Sequence, residues 1–144
     1  MTELILIATI AGERVAIAGA DVESVVEIEA VSPVPRSPVH VAGLAAIRSR
    51  VLTVIDCRVS LGLDARPHAG VQDAVVVDAD GHPYALLVDS VEDVLDWPQE
   101  ILPVRTSLAP GWRRVAKGMV DADGDLLLLI DIEAMLSGPS AAAA

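Results

Sequence analysis

The chain has 144 residues, a formal net charge of −11, 53% apolar residues, one cysteine and no phenylalanine. A chain of this size buries about two-thirds of its unfolded surface, so one domain needs neither a metal nor a disulfide to hold it together. The acidic balance argues against a phosphate backbone as partner, the lone Cys57 fits a reducing cytoplasm, and no aliphatic run approaches the ~20 residues of a membrane helix.

In chain order, "ELILIATI" (Glu3 to Ile10) runs straight into apolar patterning without a basic leader, which predicts no signal peptide. With "ERVAIAG" (Glu13 to Gly19) it flanks a turn at Ala11-Gly12 and reads as a hairpin. "VESVV" (Val22 to Val26) reads as a short acidic linker, and "SPVPRSP" (Ser32 to Pro38) as a surface connection, because proline has no donor for a strand ladder. "LAAIRSRVLTVIDCR" (Leu44 to Arg58) sets Arg48, Ser49 and Arg50 between two apolar runs. "LDARPHAG" (Leu63 to Gly70) is a polar junction. "DAVVVDAD" and "HPYALLVD" flank Asp80-Gly81, a strong hairpin signal. "WPQEILP" (Trp97 to Pro103) is a second proline-bearing connection, and "GMVDADGDLLLLIDI" holds a hairpin centred on Asp123-Gly124. "DIEAMLS" (Asp131 to Ser137) predicts a short last helix, and residues 139–144 a frayed tail.

The chain repeats itself. A shift of 69 residues lays Gly12 on Gly81, Ala16 on Ala85 and "VESVV" on "VEDVL" (Val91 to Leu95). A shift of 75 then lays Gly43 on Gly118, Val54-Ile55-Asp56 on Leu129-Ile130-Asp131 and Leu61 on Leu136. Two copies of a unit of short strands predict an all-β, two-lobed domain over 1–138, with lobes at about 3–63 and 71–137 and strand exchange between them allowed. The second shift also lays Arg48-Ser49 on Asp123-Gly124, so Arg48 is predicted at a hairpin tip, projecting into solvent. A charged fork on a rigid tip suits protein–protein contact; a plain solvated turn is the alternative.

Little points to catalysis. Cys57, with His40, His68 or His82 as base, is the one nucleophile to consider, for a thiol-dependent enzyme. Its alternation with Ile55 on a strand and its neighbour Asp56 predict a structural cysteine instead, and the three histidines read as solvated loop residues. "DADGD" (Asp121 to Asp125) lacks a calcium loop's final glutamate, since Ile132 stands at that position. Asp56 and Asp131 read as caps, and Trp97 and Trp112 as filler between the lobes. No cofactor, metal, nucleic acid, membrane insertion or small-molecule substrate is expected.

These residues resemble the CheW-like domain family. Val41-Ala42-Gly43, then Ala46-Ile47-Arg48-Ser49, then Val51 through Asp56 and Arg58 resemble its Ile/Val-x-Gly, Asn-Leu-Arg-Gly and Val-x-Pro-Val/Ile-Val-Asp-Leu-Arg run. "VESVVEI", "YALLVDSVEDVL" and "LLLLIDIEAML" are similar to the family's preceding segment, its Val-Asp-x-Val stretch and its closing strand and helix. The resemblance spans roughly residues 4 to 137. It implies two small five-stranded β-barrels with short helical segments and a C-terminal helix. It also implies a cytoplasmic, non-enzymatic adaptor that links chemoreceptor signalling tips to the regulatory domain of a CheA-type histidine kinase. In the family, the groove between the lobes takes the receptor tip, with the arginine in that region. Carried over, Val25, Glu27, Ile28 and Arg48, then Val41, Gly43 and Leu44, are the receptor-facing candidates. The chain departs from the pattern at Ala46 (usually Asn), Ser49 (usually Gly) and Thr53 (usually Pro). A non-glycine in that turn implies either another turn geometry or a slightly strained tip. The departures also fit a diverged paralogue that serves a non-chemotactic pathway or competes for the kinase.

Overall fold

A computed structural model describes residues 3–65, 70–97 and 100–139. Ten strands run in chain order: β1 (Leu4–Ile10), β2 (Glu13–Ala18), β3 (Val22–Ile28), β4 (Val41–Ile47), β5 (Arg50–Asp56), β6 (Gln72–Ala79), β7 (His82–Val88), β8 (Ser90–Asp96), β9 (Ala116–Ala122) and β10 (Asp125–Ile130). Three short α-helices, α1 (Cys57–Ser60), α2 (Pro110–Val115) and α3 (Ile132–Ser137), and a 3-10 turn at Gly19–Asp21 accompany them.

The sequence repeat is a structural repeat with a twist. One sheet has the order β8-β1-β2-β10-β9 and the other β3-β6-β7-β5-β4. Each therefore combines the first hairpin of one repeat with the remaining three strands of the other. The two lobes at 3–63 and 71–137 are not the two sheets, because the hairpins β1–β2 and β6–β7 have changed places. Parallel pairing makes the exchange: Val15 and Ala16 of β2 lie beside Leu128 and Leu129 of β10, and Thr53 to Asp56 of β5 beside Tyr84 to Leu87 of β7.

Two expectations are corrected. The acidic segments at 22–28 and 90–96 are not linkers but edge strands, β3 pairing with β6 and β8 with β1. The sheets curl as barrels do, yet among the described residues no ladder joins β3 to β4 or β8 to β9. Side chains link the rims instead. Arg50 at the start of β5 is ion-paired with Glu23 of β3, and Arg14 of β2 reaches Glu92 of β8 (2.9 Å) and Asp125 of β10 (3.3 Å).

Strand alternation divides the core in three. Ile5, Ile7, Ala16, Val120, Leu127 and Leu129 fill one curled sheet, and Ile28, Leu52, Val54, Ala74, Val76 and Ala85 fill the other. Leu6, Ile10, Val15 and Ile17 meet Ile55, Val75, Val77, Leu86 and Val88 between them. The inner strands are thus apolar on both faces, which is why "LILIATI" and "AVVV" read as continuous runs.

Matching glycines bulge β4 and β9. Gly43 (φ +149) and Gly118 (φ +155) sit at register shifts where the preceding connection crosses, bridged as Ser32–Leu44 and Leu102–Met119. A Cβ on Gly43 would lie 2.2 Å from the Ser32 carbonyl oxygen, so no other residue fits.

The last helix is held by its carbonyls. Arg114 donates to the Ala134 oxygen, Ser60 Oγ to Met135 (2.6 Å) and His40 Nε2 to Leu136 (2.7 Å). Three elements thereby satisfy the carbonyls that a helix C-terminus leaves orphaned. His40 is accordingly buried, not a solvated loop residue as its proline neighbours suggested. His82 is exposed, and His68 lies outside the described residues.

Candidate functional site

The β4–β5 hairpin turns on Arg48 and Ser49, whose φ values are +50 and +71. Both central residues of a type I′ turn need positive φ, so the tip keeps the tight two-residue geometry and accepts the strain of two non-glycine residues. Arg48 is exposed and forms no ion pair among the described residues. It borders a recess of about 210 Å³ together with Glu23, Ser24 and Val26 of β3, Ile47 and Arg50. Arg50 answers differently: the Glu23 carboxylate takes it up and raises its pKa by hydrogen bond and charge.

The seven candidate residues come together on one sheet, at its two edges and one tip. Val25, Glu27 and Ile28 lie on β3; Val41, Gly43 and Leu44 lie on β4. Their side chains do not share one fate. Val25 is 45% and Leu44 38% exposed, and Glu27 is exposed as well. Ile28 is 2% exposed and packs inside the curled sheet, so its side chain presents nothing to a partner. Val41 packs against the core between the sheets, and Gly43 is buried at the bulge. These three hold the edge in shape. The exposed set is Val25, Glu27, Leu44 and Arg48.

The cleft between the sheets is a separate place. About 790 Å³ opens between the β6–β7 turn and α3, lined by Asp78, Asp80, Tyr84, Glu133 and Leu136 among others, and none of the seven candidates borders it. Its counterpart on the other side of the molecule is nearly filled, with about 10 Å³ beside Ala11, Asp56 and Asp89. There Gly12 N donates to the Asp89 carboxylate at 2.8 Å, closing the seam. Neither seam stood out in the sequence, because the residues that line each come from both repeats.

No group of three or more metal-ligating side chains occurs among the described residues. Cys57 begins α1 instead of continuing the strand, and Asp56 caps that helix by accepting from Arg58 N (3.0 Å) and Val59 N (3.3 Å). Burial pushes the thiol far up from its usual range, and Asp56 and Asp89 push it further, so Cys57 stays protonated and unavailable as a nucleophile. Asp131 caps α3 in the same way through Ala134 N. Trp112 packs against the core between the sheets, as expected, whereas Trp97 packs inside a single sheet.

Known proteins match both the sequence and this fold. The chain is 29% identical over 128 residues to a probable chemotaxis protein CheW of Rhizobium etli, covering 86% of this chain and 83% of that protein. It is 27% identical over 116 residues to the chemotaxis protein CheW of Thermotoga maritima, covering 81% and 76%. The scaffolding protein TtCheW of Thermoanaerobacter tengcongensis superposes with a TM-score of 0.75 at 22% identity, over 90% of this chain and 84% of that one. The sequence profile of the CheW-like domain spans residues 4–140, from β1 through α3, including both bulge glycines and both capping aspartates. With ten strands in an exchanged repeat and a profile covering nearly its whole length, the chain belongs to the CheW-like domain family.

Proposed function

We propose that this protein is a chemotaxis adaptor that holds chemoreceptor signalling tips and a CheA-type histidine kinase together, in the cytoplasm and without chemistry of its own. The observation that carries the reading is the family match over residues 4–140, joined to an exposed arginine, without an ion pair among the described residues, on the hairpin tip that resembles the family's motif. Val25, Glu27, Leu44 and Arg48 are the receptor contacts in this reading. Ile28, Val41 and Gly43 support them from within.

The mechanism of an adaptor is occupancy. Two faces of one stiff body are filled at once, and the three packed cores keep those faces at fixed separation. Each contact needs only modest affinity, because an array repeats it many times. A guanidinium on a turn with little freedom loses little entropy when it binds, which favours Arg48 over a flexible loop cation.

A second reading has its own support. Ala46 stands where the equivalent Asp121 accepts from Gly124 N at 2.8 Å, so the Arg48 tip lacks the side-chain brace of its counterpart. That difference favours a diverged member with another receptor, or a competitor for the kinase. Titration against the regulatory domain of the cognate CheA-type kinase, with and without a receptor cytoplasmic hairpin, separates the two. Saturable binding to both supports the adaptor. Binding to the kinase alone supports the competitor, and binding to neither overturns both.

A further inference from the structure

We infer that residues 104–116, at the end of the connection from β8 into β9, form a docking surface for an acidic protein segment that carries aliphatic side chains. Four of the ten basic residues (Arg105, Arg113, Arg114 and Lys117) and none of the twenty-one acidic ones fall within residues 101–120. Arg114 holds the carbonyls of Ala134 and Ser60 and faces inward. The other three are exposed, with no ion pair among the described residues.

The internal repeat provides the control. From its bridging residue to its bulge glycine, the first connection runs Ser32 to Gly43; the second runs Leu102 to Gly118, five residues longer, and folds the extra length into α2. Between those bounds the first connection carries one base, Arg36, against four in the second, and neither carries an acid; Glu29 and Glu100 lie just ahead of each. Closing the bulge therefore requires neither the added length nor the added charge.

Arg113 lines a cleft of about 330 Å³ with Val104, Leu108 and Ala116 as its apolar part and Thr106, next to Arg105 in the chain, and Ser107 as hydroxyl donors; Lys117 borders the acidic cleft at α3 instead. Arg113 Nη2 donates to the Leu108 carbonyl at 3.1 Å, which fixes the guanidinium at this cleft. A guanidinium takes a carboxylate through two parallel hydrogen bonds, and an aliphatic side chain beside that carboxylate covers the apolar part. An extended polyanion fits less well: nucleic acid or a lipid surface would meet the field of a chain with net charge −11, not Arg105 and Arg113 alone.

The probe is a fluorescein-labelled Glu-Leu-Asp-Glu-Leu-Asp peptide, titrated with the full chain by anisotropy at low salt, against its Gln-Leu-Asn-Gln-Leu-Asn counterpart. The expected result is saturable binding of the acidic peptide only, roughly fivefold or more weaker in Arg105→Gln/Arg113→Gln. Arg105→Gln alone, which leaves the Arg113–Leu108 bond in place, should also weaken it, and Lys117→Gln, at the other cleft, and Arg48→Ala should not. Unchanged melting temperatures separate these effects from misfolding. Equal binding of the two peptides, no saturable binding, or insensitivity to both Arg105 variants overturns the proposal. Tighter binding to phosphatidylserine–phosphatidylcholine vesicles than to the peptide also overturns it, in favour of a membrane-facing patch.

Discussion

Two hairpin tips of this molecule occupy equivalent places and behave differently. Asp123-Gly124 closes β9–β10 at φ +51 and +93, and Arg48-Ser49 closes β4–β5 at +50 and +71. The backbone geometry is the same, but the support is not. Gly124 accommodates its positive φ freely, and its N–H is satisfied by Asp121; Ser49 is strained, and Ala46 offers it no side-chain acceptor. The β9–β10 tip is built for stability. The β4–β5 tip gives up both supports and presents a cation, so it holds backbone strain where the proposed function puts the receptor contact.

The comparison can be broken hardest at what the two hairpins share. Gly43→Ala should destabilise the fold by about 3 kcal/mol or more, since its Cβ would strike the Ser32 backbone; urea unfolding measures the loss. Gly118→Ala should cost less, because the Cβ there meets the Ile101 side chain, which can move, and stands 2.9 Å from the Leu102 carbonyl oxygen where Gly43's would stand 2.2 Å from that of Ser32. Ser60→Ala should cost about 1–3 kcal/mol by leaving the Met135 carbonyl buried without its donor, again read by urea unfolding.

The comparison can be sharpened at what differs. Ala46→Asn with Ser49→Gly should give the β4–β5 tip the support of its counterpart and raise stability by about 1–2 kcal/mol, seen as a higher urea midpoint. Ser49→Gly alone should contribute no more than about 1 kcal/mol of that gain. Cys57 should stay unreactive toward a thiol reagent until the chain unfolds, because the thiol is buried and protonated.

Much of this architecture was legible because its turns are chemically explicit. Ala11-Gly12, Asp80-Gly81 and Asp123-Gly124 announce two-residue hairpins, and the repeat carried that geometry to Arg48-Ser49, which carries no glycine of its own. The edge strands β3 and β8 were not legible. Both are solvated along much of their length, so their acidic residues break the alternation that marks a half-buried strand. Which hairpin joins which sheet was equally hidden, since that choice rests on parallel pairings between distant segments. Pro110-Gly111 masked α2, yet Gly111 is there because its Cβ would lie 1.9 Å from the Leu61 carbonyl oxygen. His40 was misread for the same reason: its partner, Leu136, is ninety-six residues away. At the candidate site, the motif located Arg48 and the edges of one sheet. Burial then separated Ile28, Val41 and Gly43 from the residues a partner can touch.

The most direct test compares the two tips in one assay. A receptor cytoplasmic hairpin is titrated with the unaltered chain, with Arg48→Ala and with Asp123→Ala, and each variant is melted in parallel. The account predicts that Arg48→Ala weakens binding by more than about 1 kcal/mol with its melting temperature unchanged, while Asp123→Ala binds as the unaltered chain does. Equal losses from both variants, or a loss at Arg48 that follows a fall in melting temperature, would contradict it.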